Sequence, residues 1–175
     1  MNSRNSRRAS RRAAYRREFA DAAADIVKVM REHGMDTYTH HRRISTLAHS
    51  VAVAYFSMRL AEALHIRCNR RDLIRGALLH DYFLYDNNRD RPPHRFHNFT
   101  HPKTALKNAD RDFILTDLER DVIRHHMFPL TPFPPRHVEG ALVCLVDKAC
   151  AVYEVFSLHP YRHGFGLELP IKVTT

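Results

Sequence analysis

The stretch Arg75 to Asp86, RGALLHDYFLYD, sets the hardest constraint on what this chain can fold into. It puts His80 and Asp81 side by side at the end of an apolar run. Gly76, Ala77, Leu78 and Leu79 precede the pair, and Tyr82, Phe83 and Leu84 follow it. An ionised carboxylate in such surroundings loses its hydration at great cost unless something positive sits against it. Two solutions are open: a helix end at which Asp81 turns out to solvent, or a buried polar centre to which other elements bring cations. The remaining histidines bear on the choice. Fourteen occur in 175 residues, several times the ordinary share, and imidazole is the commonest metal ligand and the usual acid or base near neutral pH. His49 lies upstream of the pair, and His101, His125, His126 and Asp147 lie downstream.

Hydrophobic periodicity predicts an all-α fold of roughly six helices. Phe19, Ala22, Ala23, Ile26, Val27 and Met30 recur at three and four residues, a helix from about Ala14 to Glu32 stopped near His33-Gly34. His40-His41-Arg42-Arg43 opens a longer helix, Ile44 to about His65, with Leu47, Val51, Ala54, Met58 and Ala61 on its apolar face. Asn69, with Asp72 three residues on, reads as an N-cap for a third helix from about Arg70 to Asp81. Asp86 to Phe99, with Pro92-Pro93 and alternating charges, reads as a long loop. Thr100 is the expected cap of a short fourth helix, with Pro102 in its first turn and an end near Asp110. Thr116-Asp117-Leu118-Glu119 is a capping box that starts a fifth, running to His125-His126. After the Pro-rich loop MFPLTPFPP, Val138, Leu142, Leu145, Val146, Ala149 and Val152 form the stripe of a last helix, from Pro135 or Arg136 to about Ser157.

The length suits one domain. Net charge is +9, but Arg4, Arg7, Arg8, Arg11, Arg12, Arg16 and Arg17 supply most of it before the first acid, Glu18. The expected organisation is therefore a basic, flexible arm over 1–17, a nearly neutral helical domain over 18–160 and a tail over 161–175. Such an arm is either a solvated terminus or a contact for nucleic acid or anionic lipid. It is also Ser- and Arg-rich and acid-poor, as transit peptides are, although nothing downstream favours an organelle. Cys68, Cys144 and Cys150 make an odd number with no C-x-x-C spacing, which argues against a disulfide framework and a thiolate zinc site. No apolar run reaches the ~18 residues of a membrane span and no secretory signal is visible. The expectation is a cytoplasmic protein in a reducing compartment.

Each candidate ligand falls in a helix or at a helix end, about one helix and a turn from the next. Antiparallel packing can bring one ligand per helix to a common level. Four or five imidazoles and two carboxylates exceed the needs of one tetrahedral zinc. They suit two first-row ions sharing a carboxylate, iron or manganese above all, with Mg, Co, Ni or Zn as further divalent candidates. Taken singly, the residues have plainer accounts: His49 as a hydrogen-bonded core histidine, His125-His126 as partners of a helix C-terminus, and Asp147-Lys148 as a solvated pair. Taken together, those accounts require five coincidences of order and spacing.

The order H…HD…D, here His49, His80-Asp81 and Asp147, resembles the HD superfamily of metal-dependent phosphohydrolases. The added His101 and His125/His126 resemble its binuclear branch, which includes cyclic-dinucleotide phosphodiesterases. More closely, GALLHDYFLYD, THPKTALKNA, RHHMFPLTPFPP and LVDKACAVYE resemble small stand-alone bacterial HD-domain proteins. The resemblance covers about residues 40–157. It implies an HD-domain helical bundle with one metal held by His49, His80, Asp81 and Asp147, and a second sharing Asp81 and held by His101, His126 and His125. The RHHMF segment fits the close group best through His126-Met127. The chain lacks the GYP tripeptide that follows the HD pair in the cyclic-dinucleotide branch, which argues against cyclic di-GMP.

The implied activity is hydrolysis of a nucleotide or another small phosphoester by a metal-activated water. Asp81 is central to it, and Lys103 and Lys148 are placed to neutralise phosphate charge. The FPLTPFPP loop and the Asp86–Phe99 loop are candidates for the pocket walls. Two alternatives stand beside it. One is a di-iron oxygenase on the same fold, gated by Tyr38 or His41. The other is a silent HD domain that binds a nucleotide or, through the Arg-rich arm, nucleic acid.

Overall fold

The computed structural model describes residues 2–38, 44–85, 97–157 and Tyr161. Six helices follow in order: α1 (Asn2–Glu32), α2 (Thr46–Ala63), α3 (Arg70–Leu79), α4 (His97–Asp112), α5 (Asp117–His125) and α6 (Val138–Phe156). The all-α class read from periodicity is the class observed.

Helix α3, which delivers His80 and Asp81, is the hub and touches each of the other five helices. Residues Asp72 to Leu79 of it are all buried. At its start the Asn69 side chain accepts the Asp72 N–H at 3.2 Å. The reciprocal half of a capping box is absent there, because the Asn69 N–H donates to Glu139 on α6 at 2.7 Å. Asp72 instead accepts the Thr116 hydroxyl at 3.1 Å, which ties the start of α3 to the start of α5. Thr116 and Glu119 complete the predicted capping box of α5. Glu119 also meets Arg75 at 2.7 Å, and Arg75 reaches Asp25 on α1 at 2.8 Å. A buried guanidinium with a carboxylate from each side avoids the penalty of an unpaired charge. Gly76 allows the closest approach: a Cβ there would lie 2.9 Å from Val122 Cβ, so any side chain would push α3 and α5 apart.

The apolar face of α1 is buried as its spacing predicts, but the helix begins at Asn2 rather than near Ala14. The segment 1–17, expected as a separate arm, is therefore continuous with α1 from Asn2, and Tyr15 within it is buried. Alanine and arginine are good helix formers and no Gly or Pro interrupts them. Helix α2 is capped by Ser45, whose side chain accepts the Ala48 N–H at 3.2 Å. His40 to Arg43, expected to open it, lie outside the described residues, as does His41. Thr100 is not the cap of α4: that helix starts at His97, so Thr100 and Pro102 are interior and Pro102 removes one bond of the ladder. The expected loop Asp86–Phe99 lies outside the described residues as far as residue 96, and residues 162–175 of the tail lie outside them too. Among the described residues no helix is long and apolar enough to cross a membrane.

Helix α6 corrects the periodicity reading. Leu142 and Val146 are buried, but Leu145 is 61% and Val152 59% exposed, and Val138 and Ala149 also face outward. The buried face runs instead through Val143, Asp147, Cys150 and Glu154. Two carboxylates inside the bundle rotate the helix away from the orientation its aliphatic residues alone would select.

Candidate metal centre

Five helices and the turns at their ends meet at His80-Asp81. His49 comes from the first turn of α2, Asp147 from the middle of α6 and His101 from α4, while His80 and His126 are the C-caps of α3 and α5. All six residues, Asp81 included, are buried. They form three overlapping groups whose ligand atoms lie within 4.8 Å of one another: His49, His80 and Asp81; His80, His126 and Asp147; Asp81, His101 and His126.

The distances converge on the two aspartates. Asp81 Oδ1 is 3.2 Å from His101 Nε2 and 3.6 Å from His126 Nε2. Asp81 Oδ2 is 3.5 Å from His80 Nε2 and 3.9 Å from His49 Nε2. Asp147 Oδ1 is 3.1 Å from His49 Nε2 and 3.6 Å from His80 Nε2. His101 Nε2 and His126 Nε2 are 2.8 Å apart.

The outer nitrogens fix the tautomers. His80 Nδ1 is 2.7 Å from the Ala77 carbonyl, and His126 Nδ1 is 2.8 Å from the Ile123 carbonyl. A carbonyl oxygen only accepts, so Nδ1 carries the proton in both and the neutral ring turns its Nε2 lone pair inward. His49 Nδ1 is 2.8 and 3.0 Å from the two oxygens of Glu154, with the same result. Lone pairs aimed at carboxylate oxygens repel unless a cation or a proton lies between them. His80 Nε2 is buried without a hydrogen-bond partner among the described residues. An imidazole held at Nδ1 by a carbonyl or carboxylate and open at Nε2 is the arrangement of a metal ligand. The donor set, imidazole and carboxylate without thiolate, fits a divalent first-row ion.

Burial opposes a charge on His49, but Glu154 and Asp147 outweigh it and hold the ring well above the ordinary histidine value. Burial likewise opposes His80, and Asp81 and Asp147 raise it. Burial also works against an ionised Asp147, yet His49 and His80 keep it well below the usual carboxylate range. His126 is pushed down to about 3 by burial and by His80 and His101, so it stays neutral.

Of the remaining sequence candidates, His125 and Lys103 stand apart from the centre and Lys148 lies at its edge. His125 is in none of the ligand groups; its Nδ1 is 2.8 Å from Asp121 on its own helix. Successive helical residues point about 100° apart, so only one member of the His125-His126 pair can face inward. Lys103 is exposed on α4, two residues and about 200° of helix from His101. The Lys148 ammonium donates to the His126 carbonyl at 2.8 Å and to the Cys144 carbonyl at 3.2 Å, and lies 3.9 Å from Asp147. It secures the backbone that carries His126.

Glu154 and Tyr161 escaped the sequence reading. Glu154 orients His49 and accepts the Tyr161 hydroxyl at 2.8 Å. Its signal was available: Glu154 follows Asp147 by two helical turns, so the two carboxylates share a face. Tyr161 gave none, because its approach depends on how the chain leaves α6. Beside the centre, Phe83 packs edge-on to His101 and lies against the tilted ring of Tyr85.

The family model of the HD domain matches residues 46–151, well over half of the chain and a span that holds all six convergent residues. No curated protein and no solved structure matches the chain. Fold, ligand order and family match agree, and the chain belongs to the HD domain family, within a superfamily of metal-dependent phosphohydrolases.

Proposed function

We propose that this protein hydrolyses a phosphoester of a nucleotide or another small metabolite, using two divalent ions, iron or manganese, that share Asp81. The observation that carries the reading is the inward convergence of histidine Nε2 atoms on Asp81 and Asp147, with the outer nitrogens of His49, His80 and His126 satisfied. His49, His80, Asp81 and Asp147 would hold one ion, and Asp81, His101 and His126 the other. When bound, such ions acidify a water and polarise a phosphoryl oxygen.

The chain's own residues supply the rest. The two carboxylates offset the charge of the centre, and the bonds from Nδ1 keep each ring in one orientation. Burial of all six residues limits the access of bulk water to them. Phe83 and Tyr85 lie on one flank, and the FPLTPFPP loop leaves His126 beside the centre with Phe128, Leu130 and Phe133 exposed. These apolar groups are the natural contacts for the organic part of a substrate. With the Lys148 ammonium engaged by carbonyls, recognition of phosphate rests on the centre itself.

The test is phosphate release from a panel of mono- and diesters by protein loaded with manganese or iron. Turnover should stop with chelator and in Asp81→Ala that keeps wild-type helicity. A loaded, folded protein that turned over no ester across the panel would sink the hydrolase reading.

A further inference from the structure

A second polar feature lies towards the other end of α2 from His49, and the metal centre has no use for it. The first half of α1 and the last half of α2 enclose a groove of about 540 Å³. Arg11, Arg12, Arg16, Arg59 and His65 line it, with Glu62 as its single acid. Arg11 Nε takes that acid at 3.0 Å. Arg59 lies over the Tyr15 ring, 5.8 Å from its centroid, and the Tyr15 hydroxyl donates to the Tyr55 carbonyl at 3.2 Å. The floor is therefore fixed by two tyrosines. Arg12 and Arg16, both exposed, make no ion pair among the described residues.

Two of these arginines, Arg12 and Arg16, lie one four-residue step apart on α1, a rise of about 6 Å. Like charges four apart on a helix repel and disfavour it, and no acid precedes Glu18 to relieve them. An anion with regularly repeated charge would do so. A concave, predominantly basic track with a tyrosine floor and two arginines in series, unpaired among the described residues, matches a chain of phosphates better than one isolated phosphate. Its lining offers no large aliphatic side chain that a membrane surface would engage.

We propose that this groove, with Arg12 and Arg16 on its rim, binds the phosphate backbone of a single-stranded nucleic acid. The proposal is independent of the hydrolase reading and is tested with chelator present, so that no turnover intervenes. Full-length protein is titrated into labelled single-stranded oligouridylate at several salt concentrations. Wild type should bind with steep salt dependence. Arg12→Glu/Arg16→Glu should weaken binding at least about tenfold and flatten the log–log salt slope by about 1.4, since each phosphate contact with a single strand contributes about 0.7. Lys107→Glu/Arg124→Glu, which changes the net charge equally on exposed positions of α4 and α5, should leave both unchanged. Circular dichroism checks that each variant keeps its fold. Equal loss in the two double variants would reduce the effect to bulk charge and overturn the site. Binding of phosphatidylserine vesicles but not of the oligonucleotide would overturn the choice of partner.

Discussion

Asp121 and Asp81 both gather histidines, and they do so in opposite ways. Asp121, on α5, accepts from His125 Nδ1 at 2.8 Å, from the Arg136 and His137 N–H groups at 2.9 and 3.2 Å, and lies 3.1 Å from His137 Nδ1. Its neighbours are donors, and the result is a closed knot that fastens the Pro-rich loop to α5 just before α6. Around Asp81 the neighbours present inward lone pairs instead, because the protons of His80 and His126 are spent on backbone carbonyls. The first arrangement is complete as a protein structure. The second is complete only with added positive charge. Composition cannot separate them, since both are an aspartate among buried or half-buried imidazoles; the direction of each N–H can.

The contrast is broken most directly by replacing adjacent histidines. His126→Ala should lose about one equivalent of bound metal and at least about 100-fold in phosphate release, a ligand mattering no less than the outer partners whose loss costs 10–100-fold. His125→Ala should keep both metal equivalents and cost only about 1 kcal/mol of stability, the worth of one hydrogen bond. Elemental analysis and chemical denaturation read the two effects. If His125→Ala lost metal instead, the distinction between the aspartates would fail.

Glu154→Gln sharpens it. The amide keeps the shape of the carboxylate but loses the charge that holds His49. Metal affinity, measured by competition with a chromophoric chelator, should fall about 10–100-fold with the helical content unchanged. Unaltered affinity would make Glu154 a packing residue.

The smallest effect is the pH response of the closed knot. Burial opposes the charge of Asp121, but His137, the Arg136 N–H and His125 hold its pKa below the usual carboxylate range. A depressed folded-state value stabilises the fold above the unfolded pKa of about 3.9 and loses that contribution as pH falls through the folded value. The difference in urea midpoint between wild type and Asp121→Asn should therefore be largest near neutral pH and shrink in acid. A gap that widened in acid would contradict the assignment.

Much of the centre was legible in the sequence because each ligand has its own helix, and helices are local. The capping box at Thr116 and the cap at Asn69 fix where α5 and α3 begin, and hence where His126 and His80 emerge at their ends. Three features were not legible. Pro102 suggested a helix start that the chain places at His97. The aliphatic stripe of α6 pointed Leu145 and Val152 inward, whereas burial of Asp147 and Glu154 turns them out. The bonds of the Lys148 ammonium to the His126 and Cys144 carbonyls have no local signature either.

By itself the sequence determined the helical class, most helix positions and the short set of residues able to bind metal. These follow from spacing within single elements, where geometry is fixed at 3.6 residues per turn. The tertiary structure alone decided which histidine of the adjacent pair faces inward, which aspartate is saturated, and that Glu154 and Tyr161 stand behind His49. It also decided that the arginine-rich start of the chain lies along α2 as one wall of a groove. Each of those outcomes depends on the relative rotation of packed helices. That rotation is set by burial and hydrogen-bond satisfaction summed over the whole bundle, and no local pattern encodes it.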